Sequence, residues 1–99
     1  MIDFSQLDKI IHEKGRLSIM TLLASRAAPW SFQDLKSQLD MSDGNLITHL
    51  RSLDNASYIS SEKNTGDGRP QTNYSLSKEG KTAFKQYLSV LEQILDLGR

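Results

Sequence analysis

The sequence predicts a mostly helical α+β fold: a core of three helices, then a β-hairpin and a long C-terminal helix. Three observations carry this prediction. Apolar residues recur at helical spacing through most of the chain, one stretch alternates side chains on either side of a glycine-rich turn, and the C-terminal segment carries an apolar stripe longer than a small core needs. At 99 residues the chain is the size of one domain spanning 1–99, and 37% hydrophobic against 24% charged residues is the balance of a globular protein.

The elements follow in order. Asp3 with Gln6 reads as a capping box, and Phe4, Leu7, Ile10 and Ile11 continue at helical spacing, so a short first helix is expected, interrupted at Gly15. From Arg16 to about Ala27, Ser18, Thr21 and Ser25 form one narrow polar stripe. Leu17, Ile19, Met20, Leu22 and Leu23 cover the rest, which makes this segment the buried centre. Ala28-Pro29-Trp30 breaks it, and Ser31 with Asp34 opens the next helix ahead of Phe32, Leu35 and Leu39.

Asp40-Met41-Ser42 is a tight link, and Ser42 caps a helix whose buried face is Leu46, Leu50 and Leu53. Packing both short helices on the buried one forces them to cross at a large angle, so residues 31–55 form a helix-turn-helix. Its second helix turns Asn45, Thr48, His49, Arg51, Ser52 and Asn55 outward, a set rich in hydrogen-bonding groups of the kind that read base edges. For His49 two readings stay open, a contact to a DNA backbone or a core-edge histidine beside Leu46 and Leu50.

Residues 58–76 read as a hairpin. Tyr58 to Lys63 is a modest strand, and Thr72, Tyr74 and Leu76 alternate with Gln71, Asn73 and Ser75 in a clearer one. Between them Asn64 to Pro70 is too polar for a core and carries Arg69 on a projecting loop, where it suits insertion into a narrow minor groove. Lys36 and Lys63 are placed to neutralise phosphates. Residues 77–97 form the last helix, with Ser77 as its cap, Glu79 at its positive end and Phe84, Tyr87, Leu88, Leu91, Ile94 and Leu95 along its stripe. Six such side chains exceed what one small core can cover, which points to a second copy of the chain. Phe4, Leu7 and Ile11, with Trp30, would join that interface.

Composition excludes several classes of function. Without cysteine there is no disulfide, thiolate metal site or cysteine nucleophile, and His12 and His49 lie on separate elements, so no metal site or cofactor is expected. His12 is read as structural, paired with Asp8. No carboxylate pair, nucleophile with a base, or phosphate-cradling glycine loop appears, so the chain is not read as an enzyme. No apolar run is long enough to span a bilayer, and a soluble, cytoplasmic protein is expected. Twelve cations balance twelve anions, and residues 31–57 are acidic. Attraction to a polyanion must therefore come from the arrangement of charge on the folded surface. The alternative to DNA binding is a module that uses the same fold to bind another protein.

The words Leu7-Asp8-Lys9-Ile10-Ile11-His12, Gly44-Asn45-Leu46-Ile47-Thr48-His49-Leu50 and Gly68-Arg69-Pro70-Gln71-Thr72-Asn73-Tyr74 carry a resemblance over nearly the whole chain. It resembles the short, stand-alone winged helix-turn-helix regulators of the MarR-like and ArsR-like superfamily. The resemblance implies a homodimer on near-palindromic duplex DNA, the recognition helix in the major groove and the wing over the minor groove. By position, Asn45, Thr48, His49, Arg51 and Ser52 would meet bases or phosphates, and Arg69 the minor groove. A two-fold pair would set its recognition helices about one DNA turn, ~34 Å, apart. Relatives commonly place glycine where Ser57 stands, and they carry more basic wing strands. Similar regulators also bind small ligands; here an effector would use a cleft near Trp30, Tyr87 and the first helix.

Overall fold

The computed structural model describes residues 1–65, 68 and 70–99. A single 3₁₀ turn, Phe4–Gln6, precedes α1 (Lys14–Ala24), β1 (Trp30–Ser31), α2 (Phe32–Leu39), α3 (Asp43–Asn55), β2 (Ile59–Asn64), β3 (Gln71–Leu76) and α4 (Lys78–Leu97). The strands form an antiparallel sheet in the order β1-β3-β2, with Trp30 opposite Tyr74 and Ile59 opposite Leu76. This is the α+β, mostly helical winged arrangement expected from the sequence.

The N-terminal segment departs from expectation. The first helix is reduced to the 3₁₀ turn capped by Asp3, and turns follow because the Asp8 carboxylate takes the backbone N–H of Ile10 at 2.8 Å and approaches that of Ile11, diverting groups a helix would use. A new helix then starts at Glu13, whose carboxylate accepts the Arg16 N–H at 2.8 Å. Gly15 therefore opens α1 rather than interrupting it. In α1 the Ser18 and Thr21 hydroxyls donate to the carbonyls of Lys14 and Leu17, which satisfies the polar stripe, while Ile19, Met20 and Leu23 enter the core.

The caps of the next helices are those the sequence predicts. Ser31 Oγ accepts from Asp34 N, Ser42 Oγ from Asn45 N, and Ser77 Oγ from Gly80 N. Between α2 and α3, Asp40 adopts a left-handed conformation (φ 52°), one of the few L-residues whose short side chain tolerates it. Strand β1 was not anticipated. Two residues are too few to show an alternation, and their pairing with β3 is a tertiary event.

The junction of wing and α4 is tightly built. Ser57 has φ 65°, a left-handed cap that glycine would adopt without strain. Its carbonyl accepts the Ser77 hydroxyl at 2.5 Å, and the Tyr58 carbonyl accepts the Ser77 N–H at 3.0 Å. A Cβ on Gly80 would lie 1.9 Å from that same Tyr58 oxygen, so only glycine lets α4 pack here. The Tyr58 hydroxyl donates to Asp8 Oδ2, and burial with this bond pushes the phenol up to about 12.

One core joins Ile11, Ile19, Met20, Leu35, Leu46, Leu53 and Tyr87. This corrects part of the expected subunit interface. Ile11 and Tyr87 are 0% and 1% exposed, and Phe84 is buried as well, so these side chains are spent inside their own chain. Val90, outside the stripe read from sequence, is buried as well. Leu7 and Leu91 are partly buried against the core and Ile94 is half-buried, whereas Phe4, Leu88 and Leu95 stay exposed. His12 pairs not with Asp8 but with the Tyr87 hydroxyl, its Nδ1 2.7 Å away, since Asp8 is already held by backbone and Tyr58.

Replacing Ser57 with glycine should stabilise the fold by about 1 kcal/mol, because a left-handed L-residue costs ~1–2 kcal/mol and glycine's extra chain entropy returns part of that. Chemical denaturation at constant m-value measures it; a neutral or destabilising Ser57→Gly would mean that Ser57 is not strained.

Candidate nucleic-acid interface

Helix α3 is oriented by what it buries. Leu46 and Leu53 are fully enclosed and Leu50 is 5% exposed, so the opposite face must point outward. On that face Asn45, Thr48 and Arg51 are exposed and Ser52 is half-buried. The Thr48 hydroxyl donates to the Gly44 carbonyl at 2.9 Å and the Ser52 hydroxyl to the Thr48 carbonyl at 3.2 Å. Each hydroxyl's proton is thereby engaged, and each oxygen still accepts. Arg51 belongs to none of the ion pairs among the described residues.

His49 is not part of the open face, which corrects one of its two readings. Its side chain is 20% exposed and lies against α1. A Cβ on Gly15 would come 2.5 Å from His49 Nε2, so the imidazole fills the space that glycine leaves. Nδ1 is buried, 3.5 Å from Glu13 Oε1, without a hydrogen bond of good geometry. The Arg16 N–H holds the Glu13 carboxyl below its ordinary value against the opposing effect of burial, and the charges of His49 and Arg16 add in the same direction. Glu13, Gly15 and His49 thus lock α3 to α1. The signal for this was present: a glycine inside a helical pattern commonly marks close packing.

Lys36 is also committed. Its Nζ lies 2.8 Å from Asp43 Oδ1, tying α2 to the first turn of α3 and cancelling an anion that would face a phosphate. Lys63 is exposed on β2, opposite Thr72. Arg69 lies outside the described residues. A groove of about 240 Å³ separates α3 from the sheet, lined by Ile47, Arg51, Asp54, Ser61 and Tyr74 among others. Burial, then the Asp54 charge, raise the Tyr74 phenol above its usual value. Ile47 is 44% exposed, and nothing in its own chemistry marks an isoleucine for the outward face.

Tyr87 is buried in the core, so its side chain does not line open space near Trp30. A hollow of about 680 Å³ sits instead between the end of α1, β3 and α4, over Leu23, Leu76, Phe84 and Leu88 with Arg26, Lys81 and Lys85 at its edge. The Arg26 guanidinium stacks 3.9 Å above the Trp30 ring and donates to the carbonyls of Ala28 and Pro29. Among the described residues no group of three or more His, Cys, Asp or Glu could hold a metal ion, and no helix is long and apolar enough to cross a membrane.

A helix-turn-helix followed by a β-hairpin and presenting a polar helix face defines a class, the winged-helix DNA-binding domains. The chain belongs to that family: the winged helix DNA-binding domain matches residues 16–95. It is 31% identical over 86 residues to the uncharacterized protein MJ0432 of Methanocaldococcus jannaschii, covering 87% of this chain and 92% of that protein. A solved structure, the transcriptional regulator homologue from Pyrococcus horikoshii OT3, superposes with a TM-score of 0.80 at 32% identity, covering 93% of this chain and 91% of that one. The crystal structure of MarR shares the fold, with a TM-score of 0.77 at 17% identity over 95% of this chain and 67% of its own. The protein is thus a winged-helix DNA-binding domain with the fold that MarR also has.

Gly15→Ala should cost on the order of 1–3 kcal/mol of stability by overpacking against His49, and His49→Ala in the same chain should recover most of that loss. Thermal unfolding of the double-mutant cycle measures the coupling; additive losses would show that the two residues do not interlock.

Proposed function

We propose that the protein binds specific duplex DNA as a homodimer, with α3 in the major groove and the wing along the minor groove. The observation that carries this reading is the sidedness of α3. Its leucines are anchored in the core, and Asn45, Thr48 and Arg51 are left pointing outward without a protein partner to cover them. Asn and Arg are the residue types that pair with adenine and guanine edges, and the Thr48 hydroxyl, its proton engaged by the Gly44 carbonyl, can accept from a base donor. Ser52 stands at the edge of this set, Lys63 would meet a phosphate, and Arg69 would reach the minor groove.

The second copy is assigned to the far end of α4. Leu88 is 44% exposed, Leu95 61% and Leu97 76%, and Phe4 at 61% lies on the segment that Gln6 ties to α4 through a 2.7 Å bond to Gln86. Leu91 and Ile94, half-covered, complete the strip. A two-fold pair joined there would present two recognition helices to successive turns of one DNA face.

The zero net charge and acidic 31–57 segment favour a second reading, a winged helix that binds another protein. A salt titration with duplex DNA separates the two. DNA binding predicts affinity that falls with a log–log slope of about −0.9 per phosphate neutralised, and a protein-interaction module predicts none.

In a salt-matched mobility shift on a selected site, Arg51→Ala should lose about 1–3 kcal/mol of binding. Leu88→Glu with Leu95→Glu should sediment as a monomer and bind DNA ~100-fold or more weakly through lost bivalency. A wild-type chain that sediments as a monomer and ignores every duplex would overturn the proposal.

A further inference from the structure

Two features on the flank of α3 serve no purpose in the fold. Gly44 stands in the first turn, where a Cβ would meet nothing within 4 Å, and its backbone is not left-handed. Neither packing nor conformation requires glycine there, although glycine is among the poorest helix formers. Three residues on, Ile47 is 44% exposed, away from the apolar residues of the two chain ends that are free to join a second subunit. Helical geometry sets Gly44, Ile47 and Arg51 in one strip beside Thr48.

The groove below this strip says what kind of surface it meets. Ile47 and Arg51 form its lip, and Asp54 and Tyr74 line it. A carboxylate there repels a phosphate, whereas a base edge carries no net charge. An isoleucine beside an arginine, open to solvent over a largely apolar groove that holds the Asp54 carboxylate, suits an apolar group on a base and not the sugar-phosphate chain. In the major groove that group is the thymine 5-methyl.

Building on the reading of α3 as the DNA-facing helix, we propose that Gly44, Ile47 and Arg51 determine sequence specificity by reading a thymine. Its methyl group sits on Ile47. Gly44 lets the duplex approach the helix backbone, and Arg51 reaches the acceptor edge of a neighbouring base pair.

The test starts from sites selected by the wild-type chain from random duplex. Each thymine is then replaced singly by deoxyuridine, which removes only the methyl. One thymine in each half-site should show a roughly threefold to fivefold loss of affinity, the worth of one methyl group taken out of water. Ile47→Ala should abolish that sensitivity while melting at the wild-type temperature. Gly44→Ala should raise Tm by roughly 4–8 °C through better helix propensity and yet weaken binding to the selected site ~10-fold or more. A purely structural Gly44 would instead leave affinity level or improved as stability rises. The proposal is overturned if selected sites bind but no uridine substitution matters, or if Ile47→Ala keeps the full uridine effect. Absence of binding to any duplex at low salt would defeat the DNA-binding reading itself, and this inference with it.

Discussion

Burial of Leu46, Leu50 and Leu53 into the core shared with Ile19, Met20 and Leu35 is the constraint on which the molecule depends. A thirteen-residue helix such as α3 is marginal by itself in water, so tertiary packing gives it its existence as well as its direction. Each of the three leucines contributes about 1.5–3 kcal/mol on burial. Rotating α3 by one residue position would turn that face about 100° out of the core, which is why the outward set of Asn45, Thr48 and Arg51 is fixed so firmly. The interlock of Gly15 with His49 adds a second restraint on the same helix, from its partly exposed side.

Helix α4 and the wing are held by a separate set of contacts at their common root. Ser57 and Tyr58 offer their carbonyls to Ser77, Gly80 lets the helix approach the Tyr58 carbonyl, and the Tyr58 side chain reaches back to Asp8. His12 meets the Tyr87 hydroxyl farther along α4. The N-terminal turns are thus tied to α4 at more than one place, beyond the few short-range bonds they make among themselves. Leu88, Leu95 and Leu97 stay exposed along α4, and that is where the helix has surface to offer.

A chain of zero net charge can still present a favourable face to DNA if its anions are spent internally. Asp43 is paired with Lys36, Glu13 caps α1 beneath His49, and Asp8 is occupied by backbone N–H groups and Tyr58. On α3 this leaves Asp54, set back in the groove, and Arg51 on the outer strip. Net charge summed over a sequence counts these groups equally. A duplex approaching one face would not.

Local signals in the sequence determined the helix-turn-helix, the serine caps of α2, α3 and α4, the alternation of β3 and the length of α4. Each depends on residues within a turn or two of one another, where periodicity and capping chemistry act directly. The N-terminal segment misled because its helical spacing says nothing of Asp8, whose carboxylate captures the backbone. Tertiary structure alone decided that two residues around Trp30 become a strand, that Ile11 and Tyr87 are spent inside the chain, that His49 turns toward Gly15, and that Lys36 is already paired. Those outcomes depend on contacts between elements distant in sequence, where a side chain's fate is set by the neighbour it meets and not by its own chemistry.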